Sequence, residues 1–101
     1  MKKYFVYVLY SEKIDAFYRG QTNSIKDRLK RHNTGSNKST LPGIPWTLVW
    51  FIDKPNRSEA IGLEAKLKNM DRNKLIVFMK KYSEGIAGPD ALILMDQWSG
   101  C

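Results

Sequence analysis

The stretch that decides the fold is VYVLYSEKIDAFYRGQT, residues 6–22. Residues 3–10 overlap its start and are rich in aromatic and β-branched side chains. Apolar side chains stand at both odd and even positions, the pattern of a strand that is covered on both faces. Residues 11–15 are a polar turn, and residues 16–22 form the returning strand of a hairpin. The first strand should therefore lie in the middle of a sheet.

Two tyrosines, Tyr7 and Tyr18, lie on the two strands of this hairpin. They are either cross-strand neighbours stabilised by ring contact or a pair of phenols directed at one chemical site. A phenol with a pKa of about 10 is a poor base at neutral pH, so a catalytic tyrosine needs a nearby cation or metal-bound water.

The next residues give a helix, a loop and a strand. Asn23 or Ser24 is suited to cap a short basic helix over residues 25–33. Residues 34–45 are rich in Gly, Ser, Thr and Pro and predict a loop, and residues 46–53, rich in Trp, Val and Phe, predict a third strand.

Two further helices are predicted after this strand. Ser58 can cap one that runs to about Met70, and Asp71 can cap another that runs to Tyr82. Each has one apolar stripe at spacings of three and four residues, formed by Ala60, Leu63, Leu67 and Met70 in the first and by Leu75, Phe78, Met79 and Tyr82 in the second. Both helices should pack on the sheet.

These signals predict an α+β fold with a small three-stranded, mostly antiparallel sheet and flanking helices in the order β-β-α-β-α-α. We expect one domain over residues 1–83. Residues 84–101 form a C-terminal tail with an apolar patch at residues 91–95, for which docking on the body, pairing with a second copy and fraying all stay open.

The chain is basic: 17 Lys and Arg residues oppose 10 Asp and Glu residues, giving a net charge of +7 and a pI near 9.6. Such an imbalance favours an anionic partner, and the cations cluster in residues 26–38 and 66–81. Nucleic acid fits better than a membrane surface, which selects strongly amphipathic basic helices with exposed large apolar side chains. A basic surface kept for solubility is the alternative.

The single cysteine, Cys101, is the last residue, which excludes an intramolecular disulfide or cysteine metal cluster and suits a reducing compartment. The opening MKKYFVYVLY imitates a signal peptide, but Ser-Glu-Lys follows in place of a small-residue cleavage site. No apolar segment approaches the roughly 18 residues that span a bilayer. We expect a cytoplasmic protein.

Glu64 falls inside the apolar stripe of its helix, four residues after Ala60 and three before Leu67. A carboxylate that faces a core costs on the order of several kcal/mol unless it is paired or bound to a cation. A salt bridge, a metal ion and an edge position with access to water therefore all stay open. Gly62, which costs a helix about 1 kcal/mol relative to Ala, suggests close backbone approach beside it.

Arg28 and His32 are four residues apart on the first helix and therefore share a face. A guanidinium can fork onto two phosphate oxygens, and an imidazole can donate to the same group or move a proton near neutral pH. The pair suits a phosphodiester, and a solvated basic face is the other interpretation.

Taken together, these residues resemble the GIY-YIG nuclease superfamily over about residues 3–82. Phe5-Val6-Tyr7 stands where that family has its first signature tripeptide, and Tyr18-Arg19-Gly20 stands where it has the second. Arg19 replaces the usual apolar middle residue, so its side chain is expected to reach solvent or the substrate. GQTNSIKDRLKRHNTG, with PWTLVW and RSEAIGLEAKLK behind it, is most similar to small stand-alone bacterial members related to the amino-terminal nuclease domain of nucleotide-excision repair.

The resemblance implies a metal-dependent endonuclease that hydrolyses phosphodiester bonds in DNA, structure-selective and linked to repair or recombination. It assigns Tyr7 to positioning or deprotonating the attacking water and Tyr18 to hydrogen bonding beside it. It assigns Arg28 to the scissile phosphate and His32 to proton movement or phosphate binding. Glu64 would be the sole protein ligand of a hydrated divalent metal ion, magnesium or manganese. The residues implied to bind the substrate are Gly20, Lys30, Arg31, Asn33 and Lys38.

Two other functions stay open. A module of the same fold that binds nucleic acid without cutting it is favoured by Arg19 and by Gln21, which stands where the repair-domain relatives carry a lysine. A protein-interaction scaffold rests on the apolar tail alone.

Overall fold

The computed structural model describes residues 3–98 of the 101-residue chain, so Cys101 and the redox expectation drawn from it lie outside the described residues. The centre of the fold is an antiparallel three-stranded sheet in the order β2-β1-β3. Strand β1 spans Tyr4–Ser11, β2 spans Ala16–Thr22 and β3 spans Thr47–Lys54. The strand predicted to be covered on both faces is therefore the central one.

One face of the sheet packs against helix α1, Ile25–Thr34. The side chain of Ser24 caps its first turn, and Gly35, with φ of 83°, ends it in a left-handed conformation that a residue without Cβ adopts freely. The cluster on this face consists of buried Tyr7, Leu9 and Trp46, with Tyr18, Ile25, Leu29, Ile44 and Leu48 packed against them.

The opposite face carries the larger core and the remaining helices, α2 at Arg57–Lys68, α3 at Arg72–Lys81 and α4 at Pro89–Trp98. The predicted stripes of α2 and α3 face inward except at Tyr82, which follows the end of α3 and is exposed. Ala60, Leu67, Leu75 and Met79 are fully buried, and Leu63, Met70 and Phe78 are partly buried. No helix formed by residues 3–98 is long and apolar enough to cross a membrane.

The α+β fold and the order β-β-α-β-α-α are confirmed, and α4 follows as a fourth helix. Of the three alternatives for the apolar patch of the tail, docking is the one observed. Ala91 and Met95 are buried, and the Trp98 ring lies 5.0 Å from that of Tyr10 and 5.1 Å from that of Phe17.

Three local expectations are wrong. Helix α2 is capped by Asn56, whose Oδ1 accepts from the Glu59 backbone N–H at 2.9 Å, so the helix begins before Ser58. A Cβ at Gly62 would have no atom within 4 Å, so no backbone approaches there. Arg19 is half-buried and donates to the Met70 carbonyl at 3.1 Å, because the carbonyls beyond the end of α2 offer its guanidinium an acceptor. Burial lowers the pKa of Arg19.

Candidate active site

Tyr7 lies directly opposite Gly20 on the neighbouring strand. A Cβ atom at Gly20 would lie 2.6 Å from Tyr7 Oη and 2.8 Å from Cζ, closer than such atoms can approach. Gly20, predicted to contact the substrate, is itself buried and leaves room for the Tyr7 phenol. The Tyr18 ring lies beside it, with 6.2 Å between the two ring centroids. The two tyrosines thus share one face of the sheet.

His32, in the last turn of α1, contacts both tyrosines. Its Nε2 lies 3.2 Å from Tyr7 Oη, and its ring centroid lies 4.6 Å from that of Tyr18. His32 is 1% exposed and Tyr7 is 2% exposed. Three residues predicted from separate parts of the sequence therefore form one cluster, in which Tyr7 and His32 are buried and Tyr18 is half-buried.

The contacts of the Thr40 hydroxyl favour the tautomer of His32 that is protonated at Nδ1. Its Oγ1 donates to the Asn37 carbonyl at 3.2 Å, since a carbonyl can only accept, and it lies 2.9 Å from His32 Nδ1. With its own proton directed at Asn37, the Thr40 hydroxyl accepts from Nδ1–H. In the neutral imidazole Nε2 is then the acceptor, and Tyr7 Oη–H donates to it.

Hydrogen bonds made by Trp46 and Asn33 hold the loop that carries Thr40, and the end of α1, against the start of β3. The Trp46 indole N–H donates to the Thr40 carbonyl at 2.7 Å. Asn33 Oδ1 accepts from the Trp46 backbone N–H at 2.6 Å, and Asn33 Nδ2 donates to the Trp46 carbonyl at 3.0 Å. Asn33, predicted to bind substrate, thus has both ends of its amide engaged with backbone. Sequence reasoning missed Thr40 and Trp46 as site residues because each gains its role only through these long-range contacts.

Burial controls the protonation of this cluster. Desolvation raises the pKa of the Tyr7 phenol well above its ordinary value; the charges of Tyr18 and Glu64 raise it further, and that of Arg28 opposes them. Desolvation and the charge of Arg28 lower the pKa of His32. Near neutral pH the phenol therefore keeps its proton and the imidazole is uncharged.

A basic cleft opens beside His32, between α1 and the loop that follows it. Arg28, Arg31 and Lys38 line it together with His32, Ser36 and Asn37. No carboxylate is among these lining residues. Arg28 and His32 share this cleft, as their spacing predicts, whereas Lys30 is exposed on α1 and does not line it.

Glu64 projects from α2 with its side chain 19% exposed and its Oε2 3.1 Å from Lys68 Nζ. Its charge raises the pKa of the Tyr7 phenol and that of Arg28 lowers it, and Glu64 does not line the basic cleft. No group of three or more His, Cys, Asp or Glu side chains within residues 3–98 is arranged to hold a metal ion. A metal at Glu64 would therefore have few protein ligands.

Comparison with known proteins agrees with this geometry. The GIY-YIG catalytic domain matches residues 3–82. The chain belongs to this family. Among its relatives, a UPF0213 protein of Clostridium perfringens is 34% identical over 80 residues, 78% of this chain and 85% of that protein. A UPF0213 protein of Streptococcus sanguinis is 29% identical over 70 residues, 68% of this chain and 80% of the relative.

A solved structure also belongs to a protein with the name UPF0213. The solution NMR structure of a UPF0213 protein from Bacillus halodurans is 28% identical, covers 77% of this chain and 83% of its own, and superposes with a TM-score of 0.52. The two tripeptides that resemble the family's signatures, Phe5-Val6-Tyr7 and Tyr18-Arg19-Gly20, are on adjacent antiparallel strands, with Tyr7 opposite Gly20. GIY-YIG domains form a nuclease family, which implies a nucleic-acid substrate.

Proposed function

We propose that this chain is a divalent-metal-dependent endonuclease that hydrolyses phosphodiester bonds, with DNA as its substrate. The observation that carries the proposal is the buried hydrogen-bonded chain from Tyr7 through His32 to Thr40, placed beside a cleft that contains Arg28, Arg31 and Lys38. A proton acceptor next to a cationic phosphate site is what hydrolysis of a phosphodiester requires.

The cleft binds the nucleic-acid backbone. Arg28 is half-buried and shares the cleft with His32, so we assign it to the scissile phosphate, to which a guanidinium can donate two parallel hydrogen bonds. Arg31 and Lys38 are exposed and contact neighbouring phosphates. Contacts of this kind position the strand without reading its sequence.

Proton transfer follows from the tautomer of His32. As the attacking water loses a proton to Tyr7 Oη, the phenol passes its own proton to Nε2 of His32. The phenol is then never a free phenolate, a state that its burial disfavours. His32 becomes an imidazolium whose Nδ1–H still donates to Thr40.

Glu64 fits a magnesium or manganese ion. Its carboxylate oxygens are hard ligands of the kind that these ions prefer, and magnesium commonly keeps several waters beside one or two carboxylates. When bound, the ion would supply charge stabilisation for the phosphate and the leaving oxygen. The contact with Lys68 supports a second candidate, a module that binds nucleic acid without cutting it, in which Glu64 serves only as a salt-bridge partner.

The test is cleavage of labelled single-stranded, duplex, flap and branched DNA with magnesium, manganese or a chelator. We expect cutting that requires the metal and is lost in Glu64→Gln and Arg28→Ala. Glu59→Gln, an exposed carboxylate on the same helix, is the matched control and should keep full activity. The panel also tests the preference for flaps and branches that a role in repair or recombination requires.

In a protein that cuts, Lys68→Gln separates the two roles of Glu64, metal ligand and salt-bridge partner. It removes the salt-bridge partner and leaves the carboxylate free, so a metal ligand at Glu64 predicts retained, metal-dependent cutting. If Lys68→Gln instead reproduces Glu64→Gln, the ion pair is the function of Glu64. Binding of DNA without cutting under either metal would favour the non-catalytic module.

A further inference from the structure

A second groove lies on the face of the sheet opposite Tyr7, between β3, α2 and α3. We call it the lysine-aromatic groove and define it by Trp50, Phe78, Tyr82, Lys54 and Lys66, with aliphatic side chains of β3 and α2 completing its floor. None of the site residues discussed above lines it. It is therefore a separate concave surface.

The charge of this groove is positive. Lys54 and Lys66 line it, and a third ammonium, Lys81 Nζ, lies 5.6 Å from the centre of the Tyr82 ring. No carboxylate lines the groove. Three carboxylates on the adjoining β3 and α2 have other partners: Asp53 pairs with Lys3 at 3.5 Å, Glu59 accepts from Asn56 at 3.0 Å and Glu64 pairs with Lys68 at 3.1 Å. A ligand in the groove therefore meets a field that favours anions.

The aromatic rings of the groove are held in place before any ligand binds. Phe78 and Tyr82 have ring centroids 4.7 Å apart, and Phe78 lies 5.5 Å from Trp50. The Trp50 indole N–H donates to the Tyr82 carbonyl at 2.9 Å, which fixes the end of α3 on the sheet. Tyr82 is 36% exposed, so one of these rings is open to a partner.

We propose that the lysine-aromatic groove binds an unpaired nucleotide strand, with a base stacked on Tyr82 and flanking phosphates on Lys54, Lys66 and Lys81. Sites that bind single strands combine aromatic rings with cations, because every base can stack on a ring and every phosphate linkage carries a negative charge. An acidic peptide would use the charges and leave the ring unused.

The groove also bears on the proposed function, on which this part of the inference rests. Lys66 is two residues after Glu64 on α2. The groove therefore adjoins the helix that carries the proposed metal ligand. The groove would then hold the single-stranded arm of a flap or branch while the basic cleft holds the phosphate to be cut.

The experiment is fluorescence anisotropy with labelled oligodeoxythymidylate and oligouridylate of about 12 nucleotides, in chelator so that nothing is cut. We expect Lys66→Gln combined with Lys81→Gln to reduce the slope of log K against log salt by about 1.4, which corresponds to two lost phosphates on a single strand. Tyr82→Leu should weaken binding about 5- to 160-fold, the range for one lost stack. Lys13→Gln, in the turn at the other end of β1, should leave the slope unchanged.

Photocrosslinking of the wild-type protein to the bound strand tests the same contact without any substitution that could affect folding. The crosslinked peptide should contain Tyr82 or Phe78. Tighter binding of the deoxythymidylate or of the uridylate identifies DNA or RNA as the source of the strand, and both support the groove. Unchanged affinity in the groove variants, crosslinks elsewhere, or equal competition by polyglutamate would overturn the proposal. Because no cutting is measured, failure of the nuclease proposal leaves this result readable.

Discussion

Gly20→Ala is the sharpest perturbation that the site offers. The new Cβ would lie 2.6 Å from Tyr7 Oη and 3.1 Å from Tyr18 Cε1, so the phenol must retreat by about 0.8 Å to reach an ordinary contact of 3.4 Å. The buried His32 lies within hydrogen-bond distance of the same oxygen and limits that movement. Overpacking of this kind costs about 1–3 kcal/mol. A displacement near 1 Å in a catalytic group lowers kcat by about 10²-fold.

Urea unfolding and single-turnover cleavage measure the two effects, and Gly62→Ala is the matched control. The same methyl group at Gly62 meets no atom within 4 Å and sits inside α2, where Ala stabilises a helix by about 1 kcal/mol relative to Gly. We expect Gly20→Ala to lose stability and cutting while Gly62→Ala gains stability and cuts normally. A Gly20→Ala protein as stable and as active as wild type would refute the argument that this glycine exists to seat the phenol.

Three further outcomes follow from the same cluster. Thr40→Val leaves His32 Nδ1–H buried without its acceptor, so it should lower the free energy of unfolding by about 1–3 kcal/mol and kcat about tenfold. Thr40→Ser keeps the hydroxyl and should restore both. The cause is checked by ¹⁵N NMR of the imidazole, which should show Nδ1 protonated in the wild type. Because the pKa of His32 is lowered on folding, the unfolded chain binds more protons than the folded chain below pH about 6.5. The free energy of unfolding should therefore fall as the pH drops from about 7.5 to 5.5. A His32→Gln variant whose stability depends on pH with the same slope would contradict this. Asn33→Ala should destabilise the protein by about 1–3 kcal/mol through the freed Trp46 backbone and leave the salt dependence of DNA binding unaltered; a smaller salt slope would show that Asn33 lies at a phosphate after all.

The fold could be predicted because its elements are encoded by short-range patterns. The apolar residues at both parities of β1 require cover on two faces, and the stripes of α2 and α3 supply it on one of them. Helix α4 is hard to predict because Pro89 is a loop signal in most contexts, although at the first position of a helix proline loses no intrahelical hydrogen bond. Its stability depends on Trp98 reaching Tyr10 and Phe17, a long-range contact that no local pattern reveals.

The site could be predicted only in part, for the same reason. Tyr7, Tyr18 and His32 were singled out from their types and positions, and the structure brings them together. Thr40 lies in a stretch whose composition predicts nothing more than a loop, and its role appears only when Trp46 and Asn33 fasten that loop over the sheet. A hydrogen bond between residues eight apart has no periodic signature.

The burial of Tyr7 explains why the cluster needs more than a tyrosine. A phenol taken out of water resists ionisation, and Glu64 adds negative charge that increases this resistance. If the family's tyrosine acts on water in this chain, its proton must leave as the new one arrives, and His32 Nε2 is the acceptor in contact with it. Thr40 favours the tautomer in which that nitrogen is unprotonated, and burial together with the charge of Arg28 lowers the pKa of the imidazole. The same burial that makes Tyr7 a poor base in isolation therefore makes His32 and Thr40 part of its chemistry.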